Sequence, residues 1–316
     1  MSRIFDSVFR PVILKAAGSG RIKETSQRLP ITERVVHRFV PGETEAAALD
    51  AINRCLANGL CVTIDHLGED TTDESQATAT VGAYLSLLQQ MSGITASGDG
   101  QLEVSLKLTA LGQSLPRHGR KIATENAHTI CAAARAAGVL VTVDAEDHTT
   151  VQERIDIVRE LRQEFPELGT VLQAYLRRTE DDCTEFASSG ARIRLCKGAY
   201  AEPAAVAFPT REQIDESYLR CLRILMKGNG YPMVASHDPV MIEAAQDLAN
   251  QFNREPGSWE HQMLYGIRVD EQHRLTASGS RVRVYIPYGQ EWYGYFVRRL
   301  AEKPANLGFF VRALAG

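Results

Sequence analysis

No window of this 316-residue chain approaches the ~20 consecutive apolar residues that a membrane-spanning helix needs. The N-terminal stretch carries Ile4, Phe5, Val8, Phe9, Val12 and Ile13. It is broken by Asp6, Arg10 and Pro11 and does not read as a secretory signal. Those apolar residues fit a stripe at helical spacing, expected to pack on the body of the protein, with peripheral membrane contact as the alternative. The six cysteines (Cys55, Cys61, Cys131, Cys183, Cys196, Cys221) form no CxxC pair. They read as reduced, mostly buried thiols of a cytoplasmic protein. Lysines and arginines are scattered, the net charge is -4, and no basic stripe marks a nucleic-acid partner. No GxGxxG turn follows the first strand, which disfavours a dinucleotide-binding open sheet. No HxH follows it either, and the eight histidines lack a compact ligand spacing, so no metal site is expected.

What is present is a globular composition, 44% hydrophobic and 23% charged, able to bury a sizeable core. A helix over Glu43 to Asn58 leads into a buried strand at Leu60 to Asp65. After it, short apolar strands and helical segments alternate: strand at Glu103 to Thr109, strands ending at Asp144 and Ala174, strands within ARIRLCKGAY, YPMVASHDP and WEHQMLYGI. Only a weak helical segment follows the seventh. Each strand reads as apolar on both faces, as strands between helices and an inner core do. Eight such units argue an α/β fold, a closed (βα)8 barrel of the TIM type, with a doubly wound open sheet as the alternative. No linker divides the chain, so residues 1–316 read as one domain with 1–58 as an N-terminal helical extension.

The last unit stands out. A strand at Val282 to Ile286 is ended by Pro287 and Gly289, and a helix is expected from about Glu291 to Glu302, stopped by Pro304. On it Tyr295 precedes Arg298 and Arg299 by three and four positions, the spacings that bring helical side chains together. Two guanidiniums beside a phenol make a poor core and a good carboxylate clamp. A solvated helix face is the plainer reading of an Arg-Arg pair, but Tyr288, Trp292, Tyr293 and Tyr295 crowd around this one. Barrel active sites lie at the C-terminal ends of the strands. Those positions carry Asp65, His66 and Glu69; Lys107; Asp144 and Glu146; Gln173 and Tyr175; Arg194, Lys197 and Tyr200; His237 and Asp238; Gln262 and Tyr265; and Tyr285. Three chemistries could use this set: a Schiff base on Lys107 or Lys197, a divalent metal on His66, Asp144, His148, His237 and Asp238, or a planar anionic cofactor.

The segments LGE (Leu67 to Glu69), LKLTALG (Leu106 to Gly112), VDAED (Val143 to Asp147), LQAYLRR (Leu172 to Arg178), RLCKGAY (Arg194 to Tyr200), ASHD (Ala235 to Asp238) and HQMLYGI (His261 to Ile267), with the closing WYGYFVRRLAEKPAN, together resemble the proline dehydrogenase family. The resemblance implies an FAD-dependent, distorted (βα)8 barrel whose last helix sits over the mouth. It implies that Arg298, Arg299 and Lys107 hold the carboxylate of L-proline and that Tyr200, Tyr285 and Tyr295 wall its ring. Asp144 would orient Lys107, and Glu69 would pair with Arg298. For the cofactor it implies Arg194 near the flavin N5, Gln173 on the isoalloxazine, and Lys197 and His237 on the ribityl or phosphate portion, with Gly198 and Gln262 beside them. Cys196, Ala201, Ser236 and Asp238 depart from residues common in the family and bear on the fine flavin contacts. The implied reaction is hydride transfer from C5 of proline to FAD, giving Δ1-pyrroline-5-carboxylate, with electrons passed to a membrane quinone. The chain resembles the monofunctional enzyme, which leaves a separate pyrroline-5-carboxylate dehydrogenase as a partner.

Overall fold

The computed structural model describes residues 38–95, 98 and 100–296. The N-terminal apolar stripe, Arg298 and Arg299 lie outside the described residues.

Helix α1 (Glu45–Ala57) opens on Thr44, whose hydroxyl accepts the Ala47 amide at 3.3 Å. Satisfying an otherwise orphaned amide in this way is what favours threonine at a helix start. The chain then alternates through β1 (Cys61–His66), α2 (Glu74–Met91), β2 (Leu102–Leu106), α3 (Gly119–Ala136), β3 (Leu140–Val143), α4 (Val151–Leu161), β4 (Gly169–Gln173) and α5 (Thr179–Ser188). It continues through β5 (Arg192–Cys196), α6 (Arg211–Lys227), β6 (Tyr231–Ala235), α7 (Pro239–Gln251), β7 (Glu260–Leu264), α8 (Val269–Ala277) and β8 (Val282–Tyr288). Neighbouring strands are all parallel, and β8 pairs with β1 to close an eight-stranded barrel. Among the described residues no helix is long and apolar enough to cross a membrane.

Two expectations change. A formed helix, α8, follows β7 where only a weak segment was expected; Gln272 on it donates to the Leu264 and Ile267 carbonyls at 3.3 and 2.9 Å and ties this short, polar helix to its strand. Tertiary contacts here override a poor local pattern. The last strand also runs through Pro287 instead of ending there. The Tyr285 carbonyl accepts from Tyr265 on the β7 side, whereas that of Tyr288 accepts from Leu67 on the β1 side. By alternation the Pro287 nitrogen faces β7, whose pairing has already stopped at Tyr285, so the missing N–H costs no ladder bond. Gly289, at φ +119°, then turns the chain in a region that side chains rarely adopt.

The strands are not apolar on both faces. Residues facing the helices are mostly apolar, Thr170 and His261 excepted, while those facing inward alternate with them as Thr63 and Asp65, Glu103 and Ser105, Thr142, Arg192 and Arg194, Glu260 and Gln262, and Arg283, all buried. Charges survive there because each is matched. Glu103 takes Arg192 and Arg194, and Glu260 takes Arg283 at 2.6 Å.

Helix α1 packs against β8 and β1, the seam that a helix following β8 would otherwise cover. The segment after β8 is thereby released to another place. Residues 292–296 form a helical turn whose Trp292, Tyr293, Tyr295 and Phe296 pack with Phe39, Val40 and Leu67. Leu67 directly follows β1, so this turn lies at the mouth of the barrel.

Candidate active site

The mouth is built from the strand ends. Lys107, the residue after β2, places its ammonium 2.7 and 2.6 Å from the two oxygens of Asp65 on β1. Both side chains are buried, Asp65 to 1% exposure. Burial opposes the charge on Lys107, but Asp65, Asp144 and Glu69 outweigh it and raise the ammonium pKa above its ordinary value. A Schiff base needs the neutral amine, so this lysine is set against that chemistry.

Across the mouth, Asp144, the residue after β3, accepts from Ser105 at 2.7 Å, Arg194 at 2.6 Å and the Tyr285 hydroxyl at 2.7 Å. Arg194 is held from three sides. Its Nε donates to Gln262 at 2.5 Å, Nη1 to Asp144 and Ser105, and Nη2 to Glu103 at 2.8 Å. Its guanidinium carbon also stands 5.3 Å from the centre of the Tyr285 ring. Asp144 therefore does not orient Lys107, as expected from the motif; Asp65 does, and Asp144 fixes Arg194 and Tyr285.

Gln173 ends β4, buried to 4% exposure. Its amide nitrogen donates to the Glu146 carbonyl at 3.1 Å, while its buried carbonyl oxygen has no hydrogen-bond partner among the described residues. A buried amide oxygen left unsatisfied costs about 1–3 kcal/mol unless a ligand completes it. On the next loop Gly198, at φ +111°, lies so close to the Tyr175 ring that a Cβ would stand 2.4 Å from it. Tyr175 in turn donates to Glu202 at 3.1 Å, and Glu202 also holds His148.

Lys197 is bracketed by Asp215 and by Asp238, the latter at 2.8 Å, and Arg211 stands 3.4 Å from the same Asp238. His237 accepts the Leu264 amide on Nε2 at 2.9 Å, which makes that nitrogen an unprotonated acceptor. Burial pushes the Cys196 thiol up to about 11, so it stays protonated and unreactive. Among the described residues no group of three or more His, Cys, Asp and Glu is placed to hold a metal.

Burial likewise pushes the Glu146 carboxyl from its ordinary 4.5 up to about 7, against the hydrogen bonds from Thr109 and the nearby Lys107. A carboxyl raised on folding contributes fully below its unfolded pKa, and that contribution is lost as pH rises through the folded value. At 1.36 kcal/mol per unit the loss is on the order of 3 kcal/mol. Relative to the native protein, Glu146→Gln should gain stability by that order between about pH 4 and pH 8. Denaturant unfolding at a series of pH values measures it; a difference that stays flat across the series would refute the assignment.

Comparison with known proteins decides the family. The model of the family described as proline dehydrogenase matches residues 48–312. Proline dehydrogenase 1 of Bacillus subtilis is 37% identical over 279 residues, covering 88% of this chain and 89% of the relative. Proline dehydrogenase of Deinococcus radiodurans is 34% identical over 313 residues, 98% and 99% of the two chains. This chain belongs to the proline dehydrogenase family. Among solved structures, proline utilization A from Bdellovibrio bacteriovorus, inactivated by N-propargylglycine, superposes with a TM-score of 0.79 at 25% identity. The match covers 88% of this chain but 34% of that longer one, so this chain spans about a third of it.

As a proline dehydrogenase the chain oxidises proline, the first step of proline catabolism. The barrel brings together Lys107, Asp144, Gln173, Arg194, Gln262 and Tyr285 at one mouth, with half-buried Glu69 and Tyr200 on the loops above. Tyr285 packs against the cluster that contains Tyr295, which sets those two rings on one wall. Lys197 and His237 sit beside them but are spent on carboxylates and a backbone amide. Asp65 was visible only as one polar strand end among many. Its signal was parity: it faces inward beside Ser105, two residues before Lys107 on the neighbouring strand.

Proposed function

We propose that the enzyme converts L-proline to Δ1-pyrroline-5-carboxylate with FAD as its redox cofactor. The observation that carries the cofactor is the partnerless, buried Gln173 oxygen, an acceptor suited to a ring N–H of a flavin. Arg194 suits the electron-accepting edge, because a fixed cation there stabilises the negative charge that reduction brings. Gln173, Arg194, Gln262 and the Gly198 backbone would hold the ring system. Lys197 and His237 suit the distal part less well, since their charges and lone pairs are already engaged.

Bound FAD would supply the acceptor for the hydride that leaves C5. The protein's own contribution is placement and electrostatics. Lys107 presents one cation to the substrate carboxylate, with Arg298 and Arg299 proposed as the others. Tyr285, held by Asp144, and Tyr295 and Tyr200 would flank the pyrrolidine ring and shed water from it. Fixing C5 against the acceptor in this way can be worth roughly 7–11 kcal/mol of barrier. Glu69 would close the site by pairing with Arg298. We further propose a cytoplasmic location with membrane contact at most peripheral, a quinone-type final electron acceptor, and a separate pyrroline-5-carboxylate dehydrogenase to take the product.

The test is an absorption spectrum of the purified protein followed by anaerobic titration with L-proline. A flavin spectrum bleached by proline is expected. A colourless protein that takes up no FAD would overturn the cofactor assignment, and a flavin that proline leaves unchanged would overturn the site assignment. In the same assay Arg298→Met and Arg299→Met should each weaken proline binding by about 2–3 kcal/mol. Unchanged affinity in both would remove the clamp from the mechanism.

A further inference from the structure

Glu146 is a buried carboxyl that the reaction does not use. It is 4% exposed and, among the described residues, has no ion-pair partner. Both its oxygens are taken by one residue of the β2–α3 loop: the Thr109 amide donates at 3.2 Å, and the Thr109 hydroxyl donates to the other oxygen. Thr109 is in turn bound to the β1–α2 loop. Its hydroxyl accepts from the Asp70 amide and its carbonyl from the Thr71 amide, both at 3.2 Å. On the opposite side the Glu146 main-chain carbonyl holds the Gln173 amide at 3.1 Å. One residue therefore connects the loops after β1, β2 and β3 to the end of β4. The groups around its carboxyl are Lys107 and Glu69 at the mouth and Arg154 on α4. None of these forms an ion pair with it, so stability alone gives no reason for an acid here.

We propose that Glu146 is a positioning residue whose side chain, latched to Thr109, holds its own carbonyl where it turns the Gln173 amide with the oxygen free for the cofactor. The proposal rests on the flavin reading of Gln173. The latch acts on one atom: a swung Glu146 carbonyl frees the Gln173 nitrogen, and the amide can then turn its donors where its acceptor belongs. Glutamine at 146 keeps an oxygen for the Thr109 amide and can donate its NH2 to the Thr109 hydroxyl, which then reverses its role, whereas alanine keeps neither.

The experiment is FAD titration of the full-length protein stripped of flavin, followed by flavin fluorescence, for Glu146→Ala, Glu146→Gln, Gln173→Ala and the double alanine variant. Each single alanine change is expected to weaken FAD about 10-fold, the scale of one lost hydrogen bond to a buried group. Because Glu146 acts through Gln173, the double variant should be no weaker than the weaker single. Glu146→Gln should stay within about twofold of the native protein, the ordinary scatter of such comparisons. Multiplying losses in the double variant, or native affinity in Glu146→Ala, would overturn the proposal while leaving the flavin in place. If Glu146→Ala does not fold, Thr109→Val replaces it, with the same non-additivity expected against Gln173→Ala. Native protein that binds no FAD would instead overturn the flavin reading itself.

Discussion

Arg194→Met is expected to destabilise the barrel by about 3–5 kcal/mol, the range for removing one partner of a buried, hydrogen-bonded charge network. The guanidinium supplies four donated contacts, to Gln262, Asp144, Ser105 and Glu103. Methionine fills similar volume and satisfies none of them. Glu103 would keep Arg192 but lose its second ion pair, and Asp144 would keep only Ser105 and Tyr285. Burial raises the Glu103 carboxyl, but Arg192, Arg283 and Arg194 together hold it well below the usual carboxylate range. A carboxylate depressed on folding stabilises above its unfolded pKa, and this is lost as pH falls towards the folded value. The gap between native and Arg194→Met protein should therefore narrow at acid pH, once folded Glu103 of the variant, held by one cation fewer, takes up a proton that the native carboxylate still refuses. Arg194→Lys should recover part of the loss, since it restores charge but not the three-sided donor geometry. Urea unfolding followed by circular dichroism decides the matter. A midpoint within error of the native one at neutral pH would show the network to be slack.

The fold was largely legible because its signal is local. Short apolar strands punctuated by helices recur along the chain, and repetition outweighs errors at any one boundary. What escaped was the interior. Glu103 and Ser105 on β2 and Lys107 just after it alternate, as do Arg192 and Arg194 on β5, yet their apolar neighbours Val104, Leu106, Ile193 and Leu195 give those segments the composition of buried strands. Which charge meets which could not be read, because Glu103 finds Arg192 and Arg194 from 89 and 91 positions away, across the barrel and not beside it. The exchange of Asp65 for Asp144 as the partner of Lys107 has the same origin. Both carboxylates flank β2, one from each neighbouring strand; the register sets Asp65 level with Ser105 and Val143 level with Leu106, which would favour Asp144, and only the side-chain geometry gives Lys107 to Asp65. Pro287 shows the converse case: its rule about ladder donors holds, but applying it requires knowing where β7 stops.

Lys107→Met should cost more in activity than any other change at the mouth that spares the proposed flavin contacts, with kcat/KM for proline falling about 10²- to 10³-fold, equivalent to about 3–4 kcal/mol. Two effects add. The substrate carboxylate loses a cation, and Asp65, at 1% exposure, becomes a buried anion without its partner in the place that the carboxylate approaches. Stability should fall too, by about 3–5 kcal/mol, for the same reason. The companion variant separates the two losses. Asp65→Asn combined with Lys107→Met removes the stranded charge, so most of the stability should return, because replacing both members of a buried pair is far gentler than removing one. Activity should return only by the part that the stranded anion had cost, since the cation that meets the substrate is still missing. Steady-state kinetics and unfolding of the two single variants and the double variant form a cycle in which stability couples strongly and catalysis only weakly. Native kcat/KM in Lys107→Met would remove this lysine from substrate recognition. Full recovery of activity in the double variant would mean that Asp65, not the lost cation, had been the obstacle, and that the proposed partners Arg298 and Arg299 suffice for the carboxylate.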